Sequence, residues 1–132
     1  MTAPVWETDG AKRIFETLDS GRAYTLDRIP GGSGIDSPLL ETFVTDIEMV
    51  LEKTKWVCAL EVHSDLTGST AANVKVTQKR ADLLATLINT DLQRRATLPY
   101  GKGNSEPVFA QEDSDLKRSC NRRVIVRRLG AR

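Results

Sequence analysis

Trp56-Val57-Cys58-Ala59-Leu60-Glu61-Val62-His63 followed by Ser64-Asp65-Leu66-Thr67-Gly68-Ser69 is the stretch on which the fold turns. The first eight residues are too apolar, until the last few, for a strand with one wet face. They read as a central strand ending near His63. The six that follow are turn formers, with Gly68 free to adopt a backbone that other residues avoid. Downstream, Asn73-Val74-Lys75-Val76-Thr77 makes a poor helix interior because three of its five residues are β-branched. From Gln78 the pattern turns helical, with Ala81, Leu84, Ala85 and Ile88 on one side. The expected unit is therefore strand, turn, and a helix from about Gln78 to Thr90 capped by Thr77, with Arg80 in its first turn.

Working outward, Ser37-Pro38 opens a second helix, Ser as cap and Pro at the first helical position. Leu39, Leu40, Phe43, Val44, Ile47, Val50 and Leu51 then form its apolar face. Ala11, Ile14, Phe15 and Leu18 predict a shorter amphipathic helix near the start, with Asp9 as cap and Gly21 as stop. Tyr24 to Ile29 reads as a strand. Pro30-Gly31-Gly32-Ser33-Gly34 has no following Lys-Ser/Thr to cradle phosphate, and reads as a flexible connector. Leu92 to Leu98 leads to a short strand, Pro99 to Pro107 is loop, Glu112 to Ser119 is a short polar helix, and Val124-Ile125-Val126 is a closing strand. This order describes one α+β domain with helices layered on a sheet.

The chain has 132 residues, 39% apolar and 28% charged, with seven aromatics, so aliphatic residues must fill most of the core. Net charge is +1, which excludes a field that holds nucleic acid across a whole face. Seven basic residues and no acidic one lie from Lys117 to Arg132, but no aromatics interleave them. No run reaches the ~18 apolar residues of a membrane span. Met1 to Gly10 has no apolar stretch of the signal-peptide kind. Cys58 and Cys120 lack metal-site spacing, and they are expected as unpaired thiols, although an oxidising compartment permits a bridge. His63, the single histidine, has no nucleophile set beside it and reads as a satisfied side chain near a strand end.

Four strings in order carry a resemblance. They are Val62-His63-Ser64-Asp65-Leu66-Thr67-Gly68; Asn73 with Val76-Thr77-Gln78-Lys79-Arg80-Ala81; Gly101-Lys102-Gly103-Asn104-Ser105-Glu106-Pro107; and Lys117-Arg118-Ser119-Cys120-Asn121-Arg122-Arg123-Val124. From about Leu60 to Val126 the chain resembles the OmpA-like peptidoglycan-binding family, including the eight positions from Asp65 to Asn73 and fifteen from Asp65 to Arg80. It departs from the family at Val62, Ser64 and Lys102, and in the region from Arg28 to Ser37, where the family carries its first strand.

The resemblance implies a β-α-β-α-β sandwich: a mixed sheet with helices on one face, over residues 22–132, after an N-terminal extension (1–21) holding an accessory helix. It also implies non-covalent binding of peptidoglycan through a meso-diaminopimelate-type stem peptide, in the periplasm or cell envelope. No enzyme activity, cofactor or metal is expected, and membrane attachment only through parts of a parent protein. Asp65 matches the family's ligand-binding aspartate and Arg80 its arginine. The diamino acid ends in an ammonium and a carboxylate on one carbon. Asp65 would face the first and Arg80 the second, bidentately. Thr67, Gly68, Asn73 and Thr77 are expected around them, with Arg123 as a further contact. A domain that keeps the fold but has lost the ligand is the alternative.

Overall fold

In the computed structural model residues 5–131 are described; part of the expected extension (1–4) and Arg132 lie outside them. Four helices and four strands follow in the order α1 (Asp9–Asp19), β1 (Tyr24–Leu26), α2 (Pro38–Thr54), β2 (Trp56–His63), α3 (Thr70–Leu92), β3 (Thr97–Gly103), α4 (Asp115–Asn121) and β4 (Arg123–Ala131). The strands form one mixed sheet ordered β1-β4-β2-β3. β2 runs parallel to β3 and antiparallel to β4, and β4 pairs antiparallel with β1. A parallel pair needs a long crossover, which α3 supplies between β2 and β3. β2 is interior, as its composition demanded.

Alternation along the strands decides the core. Trp56, Cys58, Leu60 and Val62 of β2 share a face with Val124 and Val126 of β4, and these six are buried. Against that face pack Leu40, Phe43, Ile47 and Leu51 of α2, Ala81, Leu84 and Ile88 of α3, and Ala11, Ile14 and Leu18 of α1. α1 thus shares the core of the remaining chain. Phe15 stacks on Trp56 with ring centroids 5.4 Å apart. Cys58 and Cys120 are free thiols, and burial pushes the Cys58 thiol up to about 12.

Local chemistry explains the helix starts. Ser37 caps α2 by accepting from the Leu40 amide at 3.2 Å. α1 is capped by Thr8 rather than the expected Asp9; Thr8 accepts from the Ala11 amide at 3.0 Å and donates to Asp46 at 2.7 Å. The larger correction concerns α3, which starts at Thr70 under a Ser69 cap and runs straight through the β-branched segment. Thr77 is therefore no cap. Its hydroxyl donates back to the carbonyls of Asn73 (2.8 Å) and Val74 (3.1 Å) and accepts from the Gly103 amide (2.9 Å). With Gln78 Oε1 accepting from the Gly101 amide at 2.8 Å, tertiary ties to β3 overcome weak helix propensity.

β3 itself extends through Pro99 and Gly101 to Gly103, where sequence alone predicts loop. It lies at the sheet edge, the place where Pro is tolerated. A Cβ on Gly101 would overlap the backbone N and Cα of Gln78, so the glycine is what lets α3 sit on the strand. Asn89 pins the strand's start by accepting from the amides of Ala96 (3.0 Å) and Thr97 (2.9 Å).

Candidate functional site

Where β2 ends, Asp65 leaves the strand and its own turn holds it in place. Asp65 Oδ1 accepts from the Thr67 amide at 3.0 Å, Gly68 takes φ +90°, and Asn73 Nδ2 donates to the Thr67 carbonyl at 2.9 Å. From outside, Glu112 accepts from the Leu66 amide at 2.9 Å and from Asn121 Nδ2 at 2.7 Å. Asn121 is fully buried and also accepts from the amides of Val108 and Phe109, so this side-chain network braces the turn.

A pocket opens beside this turn, lined by Gly31, Gly32, His63, Asp65, Asn73, Thr77, Arg80 and Arg122 among others. It encloses about 70 Å³, and one water takes about 30 Å³ of liquid, so it suits a group of a few heavy atoms. Asp65 Oδ2 pairs with Arg122 Nη1 at 3.0 Å, both side chains about one-fifth exposed (17% and 22%). Arg122 Nε donates to the Ile29 carbonyl at 2.8 Å. Arg80 is 5% exposed and donates to the carbonyls of Gly34 (2.8 Å) and Pro30 (2.7 Å). Burial, and then the charge of Arg122, lower the Arg80 pKa from its ordinary value, yet a guanidinium stays protonated. Among the described residues, Nη2 of Arg80 and Nη2 of Arg122 have no hydrogen-bond partner. Two guanidiniums with free donors and one carboxylate around a small space can take a compact group carrying both charges.

Of the residues expected from the sequence, Asp65, Asn73, Thr77 and Arg80 line this pocket, while Thr67 and Gly68 build the turn behind it. Arg80 sits in the third turn of α3, so helix N-terminal amides do not assist it. Arg123 is not in the pocket lining. It donates to the carbonyls of Asn121 (3.2 Å) and Glu106 (2.6 Å), and its neighbour Arg122 takes the position in the pocket. Strand parity is the signal that finds Arg122: Val124 and Val126 face the helices, so position 122 lies on their side and 123 on the other. The segment from Pro30 to Gly34 is a wall of the pocket rather than a free connector, because both arginines bind its carbonyls or that of Ile29.

His63 departs from expectation as well. It is 2% exposed, and neither ring nitrogen has a hydrogen-bond partner. Burial, and then the charge of Arg123, hold its pKa at about 4, against weaker upward pulls from Glu61 and Glu106.

No protein-family model matches the chain, and no curated protein matches it. Solved structures do. The cell wall anchor of the T6SS from Pseudomonas aeruginosa is similar at TM-score 0.68 and 21% identity, covering 92% of this chain and 96% of that one. The peptidoglycan-associated lipoprotein from Burkholderia pseudomallei is similar at TM-score 0.66 and 15% identity, over 79% of this chain and 88% of that one. The OmpA-like domain of FopA1 from Francisella tularensis follows at TM-score 0.62 and 14% identity, over 83% and 77%. The mixed four-stranded α+β sheet described above is thus the fold of OmpA-like domains.

Proposed function

We propose that this chain binds bacterial peptidoglycan non-covalently and anchors an envelope protein to the wall, working in the periplasm. One observation carries the reading: Asp65, Arg80 and Arg122, from three separate elements or loops, meet at one pocket of about 70 Å³. Its small enclosed space and its two signs of charge suit the amino-carboxylate end of a stem-peptide diamino acid such as meso-diaminopimelate. The ammonium faces Asp65, and the carboxylate takes the free Nη2 donors of the two arginines. The fold shared with a cell wall anchor and a peptidoglycan-associated lipoprotein supports the same reading. In this reading the pocket holds its ligand without cutting it, and Ser64 Oγ in the lining donates to the Asp65 carbonyl at 2.9 Å rather than to a base.

Co-sedimentation with purified, protein-free sacculi tests this. Wild type is expected in the pellet, displaced by a diaminopimelate-containing stem peptide, with no soluble muropeptides released. Asp65→Ala should weaken binding by on the order of a hundredfold, about 2–4 kcal/mol, because the ligand ammonium loses its partner. Equal sedimentation of folded Asp65→Ala removes the site assignment. A scaffold without ligand is the second reading, and the internal Asp65–Arg122 pair favours it, since the carboxylate already has a cation. Wild type that stays in the supernatant at physiological salt would select that reading.

A further inference from the structure

Alternation along β2 sends Glu61 and His63 to the sheet face opposite the helices, away from Leu60 and Val62. Glu106, in the loop after β3, comes up beside them, and one donor atom from each of the three lies within 4.8 Å of the others. Glu61 Oε1 stands 3.6 Å from His63 Nε2, just too far for a hydrogen bond. Both His63 nitrogens and Glu61 Oε1 are buried without any hydrogen-bond partner. Buried polar atoms are nearly always partnered, so the orphans Glu61 Oε1 and His63 Nε2, standing together without bonding each other, call for a missing neighbour.

We propose that Glu61, His63 and Glu106 form a binding site for one divalent transition-metal ion of the Zn²⁺ class. A neutral imidazole with two carboxylates is a ligand set such ions favour, and the nitrogen discriminates against Mg²⁺ and Ca²⁺. Donors held about 2 Å from one centre stand roughly 3–4 Å apart, so the present spacing needs only a small inward shift. Glu106 is exposed and can make it. The rest of the site is already fixed. Arg127 Nε holds Glu61 Oε2 at 2.8 Å, which leaves Oε1 aimed at His63, and Arg123 Nη2 holds the Glu106 carbonyl at 2.6 Å. The two carboxylates balance the ion's charge, while Arg123, Arg127 and Lys102 around them oppose it. Binding is therefore moderate in strength, and water completes the coordination sphere.

The test is calorimetric titration of the untagged, chelator-treated full chain with Zn²⁺ alone, with Mg²⁺ and Ca²⁺ run in parallel. One Zn²⁺ per chain is expected and no saturable heat from the other two. Loss of even an outer-sphere partner typically costs about tenfold or more in metal affinity, so Glu106→Gln and His63→Asn should each weaken Zn²⁺ by at least roughly that factor. Glu106 is exposed, so its variant separates ligand loss from misfolding. His63 is the only histidine, so one set of imidazole resonances reports the event and should shift in proportion to the heat. Co²⁺ should give visible d–d bands without a thiolate charge-transfer band, excluding Cys58 and Cys120. No saturable Zn²⁺ binding by folded wild type overturns the proposal. So does binding indifferent to Glu106→Gln with an unmoved imidazole signal, as expected of an ordered water in place of the ion.

Discussion

Replacing Arg80 by Met removes the guanidinium but keeps a flexible apolar stem of comparable length. Arg80 donates two bonds of 2.8 and 2.7 Å to the carbonyls of Gly34 and Pro30, and hydrogen bonds from a charged donor contribute about 1.5–3 kcal/mol each. Their sum of roughly 3–6 kcal/mol is an upper bound, because other terms offset it. Arg80 is buried with no carboxylate of its own, since Asp65 pairs with Arg122, and Arg122's charge acts against it. Relieving that unpaired, repelled charge returns part of the loss, so a net destabilisation of about 2–4 kcal/mol is expected. Urea denaturation of both proteins at neutral pH gives the difference from the midpoints at constant slope. Amide relaxation over Gly31 to Ile35 gives the local consequence, a rise in fast motion as the wall of the pocket loosens. Arg80→Lys keeps the charge but cannot reach both carbonyls with one point donor, and should recover less than half. An unchanged midpoint in Arg80→Met, with Gly31–Gly34 as ordered as before, would show that the guanidinium is not what fixes this segment.

Gly101→Ala should cost about 2–3 kcal/mol, as overpacking of a tight contact does, because its Cβ overlaps the Gln78 backbone; a thermal melt within error of wild type refutes the contact. Acid should destabilise the metal-free protein through His63, which faces Arg123, Glu61 and Glu106. Its native pKa of about 4 lies below the ordinary 6.5, so the unfolded chain takes up the proton first. The contribution is fully present above pH 6.5 and is lost as pH falls toward 4, about 3 kcal/mol in all. Urea midpoints of wild type and His63→Gln between pH 7 and 4.5 check the sign; equal slopes for both would assign the acid sensitivity elsewhere.

The legible parts of the fold were those whose period is set by burial. α2 and β2 declare themselves because apolar residues recur at helical spacing in one and run almost unbroken in the other. β3 does not, since Pro99, Gly101 and Gly103 are loop residues by composition, and only the edge position and the close approach of α3 make them strand. The first two turns of α3 fail for the same reason: what holds them is a threonine hydroxyl and a glutamine amide reaching residues over twenty positions away. In the pocket, Asp65 and Arg80 were visible as side chains at a familiar spacing. The groups that hold the arginines were not, because Arg80 and Arg122 bind carbonyls of Ile29, Pro30 and Gly34, which any residue type supplies. A departure in side-chain pattern from Arg28 to Ser37 is therefore compatible with a complete wall.

The sheet's two borders differ from its interior in a way that bears on crowding. One border is β1, three residues long, and the other is β3, interrupted by Pro99. A long unbroken border is a template on which the same border of another copy can dock through main-chain ladders. Here one side offers too few rungs, and the other has a rung without its donor. Copies brought side by side along one polymer can then touch without zipping into a continuous sheet. Under the proposed function, each copy would then bind and release independently of its neighbours.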